Sequence, residues 1–116
     1  MAQCTFNLTE GSVSFAFTPE AAQDLNRALD QLLVSLKAIA AAATPGIPSK
    51  PNPQATMEFQ HVGEVFLEVF CNPNIWPTPF AAKVLITLRD DRLRLSTEAG
   101  LTQLRDDLRQ FLEQAA

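Results

Sequence analysis

The sequence predicts an α+β fold: a two-layer sandwich with two helices on one face of a mostly antiparallel sheet of four to five strands, in the order ββα-βββα. Three observations predict it. Two long segments carry apolar residues at alternating three- and four-residue spacing, which makes one apolar stripe on a helix. Several short segments alternate apolar and polar residues, which gives a strand one buried face. The strand segments follow one another across short turns, and no strand–helix–strand unit recurs, so hairpins are favoured over a parallel sheet.

The elements follow in chain order. Cys4-Thr5-Phe6-Asn7-Leu8 and Val13-Ser14-Phe15-Ala16-Phe17 alternate on either side of Thr9-Glu10-Gly11, which reads as a β-hairpin with glycine available for positive φ. Thr18-Pro19-Glu20 then opens a helix, with a capping hydroxyl, proline at the first helical position and an acid in the first turn. Ala22, Leu25, Leu29, Leu32, Leu36 and Ile39 carry its stripe to about Ala43. Residues 44–54 hold Pro45, Pro48, Pro51 and Pro53, a connector that is extended or disordered inside a single domain spanning 1–116. Thr56–Phe59 and Glu64–Cys71 are the next strands, with a bulge or turn at His61-Val62-Gly63. In the second of them Val65, Leu67, Val69 and Cys71 share one face, and Phe66, Glu68 and Phe70 share the other. Ala82–Arg89 directs Val84, Ile86 and Leu88 inward, Asp90-Asp91 is a tight turn, and Arg92–Ser96 directs Leu93 and Leu95 inward. The last helix runs from Thr97 or Glu98 to about Gln114 on Leu101, Leu104, Leu108 and Phe111. Two helices cover only one face of such a sheet, so the other meets water or a partner.

Between the two best strand candidates lies Asn72-Pro73-Asn74-Ile75-Trp76-Pro77-Thr78-Pro79-Phe80, which holds the only tryptophan. Its three prolines fix φ and push the residues before them towards extended backbone, so the loop is stiff. Trp76 either packs on its own sheet or, with Ile75 and Phe80, forms a contact with a partner; a stiff loop loses little entropy on docking.

Charge gives a second candidate surface. The net charge of −4 argues against nucleic-acid binding. All of it arises in residues 1–68, and residues 83–116 balance six bases against six acids. If Val84, Ile86 and Leu88 face the helices, Lys83 and Arg89 face away, and Arg92 and Arg94 join them on the outer face of the hairpin. The choice there is between a solvated polar face and a basic patch that steers an acidic partner.

No catalytic or metal constellation is present. Cys4 and Cys71 have no metal spacing, and in an unsecreted protein they read as two reduced thiols. His61 is the single histidine and the sole base available to Cys71. Asp90-Asp91 reads as a turn and Asp106-Asp107 as the polar face of a helix rather than as metal ligands. No run of eighteen apolar residues exists, and the N-terminus lacks the basic and apolar regions of a signal peptide, so an intracellular protein is expected. A module with a ligand pocket between sheet and helices, lined by Phe15, Phe17, Phe66 and Phe70, is the alternative to an interaction subunit.

Gly63-Glu64-Val65-Phe66-Leu67-Glu68-Val69, Trp76-Pro77-Thr78-Pro79-Phe80-Ala81-Ala82, Leu95-Ser96-Thr97-Glu98, Leu101-Thr102-Gln103-Leu104 and Phe111-Leu112-Glu113 resemble a group of small cyanobacterial and plastid proteins. Within it, the chain resembles the NdhV family of accessory subunits of the photosynthetic NAD(P)H-dehydrogenase-like complex, over about residues 56–114. That complex passes electrons from reduced ferredoxin to plastoquinone. The resemblance implies a non-catalytic subunit without a cofactor, peripheral on the thylakoid membrane through its partners and on the cytoplasmic or stromal side. Its implied partners are other subunits of the complex and ferredoxin, whose docking region it would help to hold. Ferredoxins are strongly acidic, which agrees with the basic hairpin and not with the net charge.

Overall fold

The two N-terminal alternating segments pair as β1 (Gln3–Asn7) and β2 (Ser12–Ala16), antiparallel, in a computed structural model described for residues 2–42 and 53–115. Gly11 takes φ 89° in the connecting turn, a conformation that L side chains resist, and its carbonyl accepts from Leu8 N at 2.9 Å. Helix α1 (Pro19–Ala42) starts as its capping residues require: Thr18 Oγ1 accepts from Ala21 N at 3.1 Å. Ala22, Leu25, Leu29, Leu32 and Leu36 are buried along its stripe. The expected proline-rich connector lies mainly outside the described residues; at its end Gln54 is tied to Asn74, whose side chain accepts from Gln54 N and donates to Gln54 O, both at 2.8 Å.

The remaining strands form one antiparallel ladder, β3 (Met57–His61), β4 (Phe66–Cys71), β5 (Lys83–Arg89) and β6 (Arg94–Gly100), in that spatial order. A 3-10 turn, Pro73–Ile75, opens the β4–β5 loop, and α2 (Leu101–Ala115) closes the chain. The architecture is therefore α+β as predicted, but the strands are split between a two-stranded and a four-stranded sheet. The reason is in the hairpin's partners. Its turn reaches the β6 edge at Thr9, whose N and Oγ1 each lie 3.4 Å from Glu98 O. The end of β1 is bonded instead to a side chain of α2, Asp107.

The second departure concerns β6. Ser96-Thr97-Glu98 carries a helix-start signal, yet the strand continues to Gly100 and α2 begins at Leu101. The ladder decides this. All seven residues of β5 find partners on β6, from Lys83↔Gly100 to Arg89↔Arg94, and Ala99 is fully buried opposite Val84. Stopping at Ser96 would leave part of β5 unpaired, and unsatisfied backbone groups cost more than a cap returns. Leu93, expected inward, sits in the turn and is 68% exposed; Leu95 packs at the margin of the core.

One core joins both sheets and both helices. Leu67, Val69, Val84, Ile86 and Ala99 contribute the inner face of the large sheet. The hairpin contributes Phe6 and Phe15, whose rings meet edge to face at 4.9 Å, and Phe17 follows β2 to bridge His61 at 5.3 Å and Phe111 at 6.0 Å. Phe66 and Phe70 alternate to the opposite face of β4. The four phenylalanines of the pocket reading thus lie on two sides of the sheet and do not line one cavity.

Candidate functional site: the β4–β5 loop and the outer sheet face

The tryptophan loop is built from the inside outward. Asn72 caps the 3-10 turn by accepting from Asn74 N at 3.0 Å, and Pro73 is buried. Trp76 turns inward: it is half-buried against the core, with its indole beside the Cys71 thiol, whose pKa it lowers. Thr78 Oγ1 then accepts from Ala81 N at 3.2 Å, so the Pro77–Phe80 segment is held by its own turn. Held this way, the loop presents two large apolar side chains to solvent: Ile75 is 65% exposed and Phe80 88%. Phe80 borders a shallow cavity of about 340 Å³ that also involves Leu33, Lys37 and Leu101, so its exposed ring adjoins apolar surface of both helices. The three residues singled out in sequence therefore divide: Trp76 anchors the loop, and Ile75 and Phe80 form its outward face.

On the outer face of the large sheet the register sets cross-strand rows. Phe66, Arg89 and Arg94 form one row; Gln60, Glu68, Thr87 and Ser96 form the next; Glu58, Phe70, Leu85 and Glu98 form the third. Phe66, Phe70 and half-exposed Leu85 leave an apolar band on this face. Lys83 is six residues from Arg89 along β5, about 20 Å at the rise of a strand, and it shares a depression with Glu10 and Glu98. Arg92 lies in the β5–β6 turn, where Asp90 Oδ1 accepts from Arg92 N and Leu93 N, both at 2.8 Å. Those two bonds hold the Asp90 carboxyl below its usual pKa. The four bases read from sequence are thus not one patch. Arg89, Arg92 and Arg94 gather at one end, and Lys83 sits among acids at the other.

The buried nucleophiles do not assemble. Met57 is the register partner of Cys71, whereas His61 is four residues further along β3, opposite Leu67 and edge-on to Phe17. Burial pushes the Cys71 thiol up to about 11, against the weaker lowering effect of the Trp76 hydrogen bond. Burial first and the Asp107 carboxylate second push Cys4 up to about 12. Both thiols are free, and both stay protonated at neutral pH, which makes them poor nucleophiles. The folded state holds these protons above the free-thiol value of 9.0, so unfolding releases them in alkali. Stability is expected to be unaffected below pH 9 and to fall as pH rises from there towards about 12. Urea midpoints measured from pH 7 to 11 check this, and a midpoint that stays level to pH 11 would contradict it.

Sequence reading missed Asp107. It was placed on the polar face of α2, but it is 4% exposed and accepts three hydrogen bonds. Asn7 N donates to Oδ2 at 2.7 Å, and Asn7 Nδ2 and Gln103 Nε2 donate to Oδ1 at 2.9 Å. Its position between Leu104, Leu108 and Phe111 was the available signal, since that spacing lies on the buried stripe.

Among the described residues no group of three or more His, Cys, Asp or Glu is arranged to hold a metal ion, and no helix is long and apolar enough to cross a membrane. No family model, curated protein or solved structure matches the chain.

Proposed function

We propose that this protein is a non-catalytic interaction subunit that docks on a larger electron-transfer assembly, in the manner implied by its resemblance to accessory subunits of the photosynthetic NAD(P)H-dehydrogenase-like complex. In that reading it is peripheral to the thylakoid membrane and helps hold the ferredoxin-docking region of a ferredoxin–plastoquinone oxidoreductase. The observation that carries the docking role is the exposure of Phe80 and Ile75 on a loop whose backbone is fixed by prolines, caps and the Trp76 anchor. Exposed aromatic anchors on a preorganised backbone are the economical form of a contact surface, because little conformational entropy is lost when they are covered.

Affinity capture of the tagged protein from its native host, followed by identification of what co-purifies, tests both parts. Wild type is expected to bring down subunits of a membrane electron-transfer complex. The Ile75→Ser, Phe80→Ser double variant should fold normally and lose most of them. Equal recovery by the double variant would exclude the loop as the contact, and recovery of partners with no electron-transfer subunit among them would exclude the assembly.

A further inference from the structure

We propose that Arg89 and Arg94, with Phe66 beneath Arg89, form a receptor for the carboxylates of an acidic segment on a partner protein. The inference names the chemistry of the partner in the docking role above and rests on that reading.

The described arginines fall into two groups. Those of the helices are neutralised: Arg27 pairs with Asp24, Arg105 with Asp30 at 2.9 Å, and Arg109 with Asp106 at 3.4 Å. Arg89, Arg92 and Arg94 make no salt bridge among the described residues. Arg89 and Arg94 are moreover direct register partners on adjacent antiparallel strands, which places their Cα atoms about 5 Å apart. Like charges in that position oppose each other and weaken the sheet. A carboxylate bound between them would remove the repulsion, so the arrangement is less stable free than occupied. Arg89 is also already positioned. Its Cζ lies 4.4 Å from the Phe66 ring centre, a stacking that orders the guanidinium and leaves its edges free to donate.

The surroundings select the class of anion. Gln60, Phe66, Glu68, Thr87, Arg89 and Arg94 line an open depression of about 370 Å³. Thr87 and Ser96 hydroxyls bond each other at 3.1 Å, and Gln60 Nε2 donates to Glu68 at 2.8 Å, so these polar groups are largely engaged among themselves. The free donors are two side-chain forks on an open surface, which suits planar carboxylates rather than an enclosed phosphate. Glu58, Glu68 and Glu98 occupy the neighbouring rows of the same face. Glu68 lines the depression itself, where it accepts from Gln60, and the three together disfavour an extended polyanion such as nucleic acid or an anionic membrane more than a short acidic segment that ends over the arginines. The apolar band of Phe70 and Leu85 beside the site suits the body of a protein partner.

The test uses the full chain, ¹⁵N-labelled, titrated with an acetylated and amidated heptapeptide of Asp and Glu. At low salt, amide shifts are expected to centre on Phe66, Arg89 and Arg94, to saturate, and to disappear at about 0.5 M salt, where charges are screened beyond a few ångströms. Arg94→Glu is expected to weaken binding about tenfold or more, the loss of about 1.4 kcal/mol that one charge-assisted contact supplies. The same substitution should raise the urea midpoint, because it converts an Arg–Arg opposition into an Arg–Glu pair. Arg89→Lys, which keeps the charge and loses the fork, should weaken binding several-fold while leaving the fold intact. A lowered midpoint in Arg94→Glu would mark a structural arginine and overturn the proposal. Shifts spread equally over Lys83, Arg105 and Arg109 would overturn it as non-specific attraction, and saturation by inorganic phosphate at the same concentration would do so in favour of a small-anion site. Peptide binding is measured without the assembly, so its absence alongside normal capture by the loop would refute the acidic receptor alone.

Discussion

Trp76→Ala is expected to destabilise the domain by about 2–3 kcal/mol, whereas Phe80→Ala, on the same loop and with a larger exposed ring, should change stability by less than about 0.5 kcal/mol. The contrast follows from orientation. A fully buried tryptophan costs roughly 3–5 kcal/mol when cut to alanine, and Trp76 is half-buried, so part of that is lost. Its removal also takes the indole away from the Cys71 thiol and from the core it packs against. Phe80 has little to lose, since it is 88% exposed. Urea denaturation of the two variants, read by far-ultraviolet circular dichroism so that loss of the tryptophan does not remove the signal, decides it. Equal midpoints for Trp76→Ala and wild type would mean that the indole is not an anchor. The two variants should also separate in capture: Phe80→Ala weakens docking on a stable fold, and Trp76→Ala weakens it by loosening the loop. Trp76 reads from sequence as either inward or outward; anchoring and display fall to different residues of one stiff segment, with exposed Ile75 one position and exposed Phe80 four positions from the half-buried Trp76.

What was legible in the sequence was what depends on local period and local chemistry. The α1 stripe from Ala22 to Leu36, the cap at Thr18, the glycine turn of the first hairpin and the outward alternation of Phe66, Glu68 and Phe70 all follow from residues within a few positions of one another. What was missed depends on partners far along the chain. The helix-start signal at Ser96-Thr97-Glu98 yields to β5, whose seven residues offer a complete ladder. The separation of β1–β2 from the large sheet is set by an acceptor a hundred residues away, Asp107, to which Asn7 donates. Alternation put Lys83, Arg89, Arg92 and Arg94 on one outer face and left a solvated face and a basic patch as alternatives; what register adds is that Arg94 lies opposite Arg89, whereas Lys83, six residues away on β5, lies opposite Gly100. The opposition of Arg89 and Arg94 needs that same register and could not be found from period alone.

The buried Asp107 carboxylate provides a strong test of how the small sheet is held. Asp107→Ala should cost about 3 kcal/mol, because it strands the Asn7 N–H and two side-chain amides that now end on the carboxylate. Asp107→Asn should cost only about 1 kcal/mol. Its oxygen can still accept from Asn7 N, which cannot be reoriented, and the Asn7 and Gln103 amides can turn their oxygens towards the new NH₂ group. The ordering Ala worse than Asn distinguishes a hydrogen-bond junction from a requirement for charge, which would make the two variants equally unstable. Cys4 supplies an independent readout. Burial is the main reason its thiol is raised and the Asp107 carboxylate the second, so Asp107→Asn should move the Cys4 titration down while leaving it above that of a free thiol. The onset of alkaline destabilisation should not move earlier than pH 9, since the unfolded thiol is unchanged, but its extent should shrink. An unshifted Cys4 in a folded Asp107→Asn protein would show that the carboxylate does not act on the thiol, and a hairpin whose amide exchange is unaltered in Asp107→Ala would show that β1 is held in place by Phe6 and Phe15 without it.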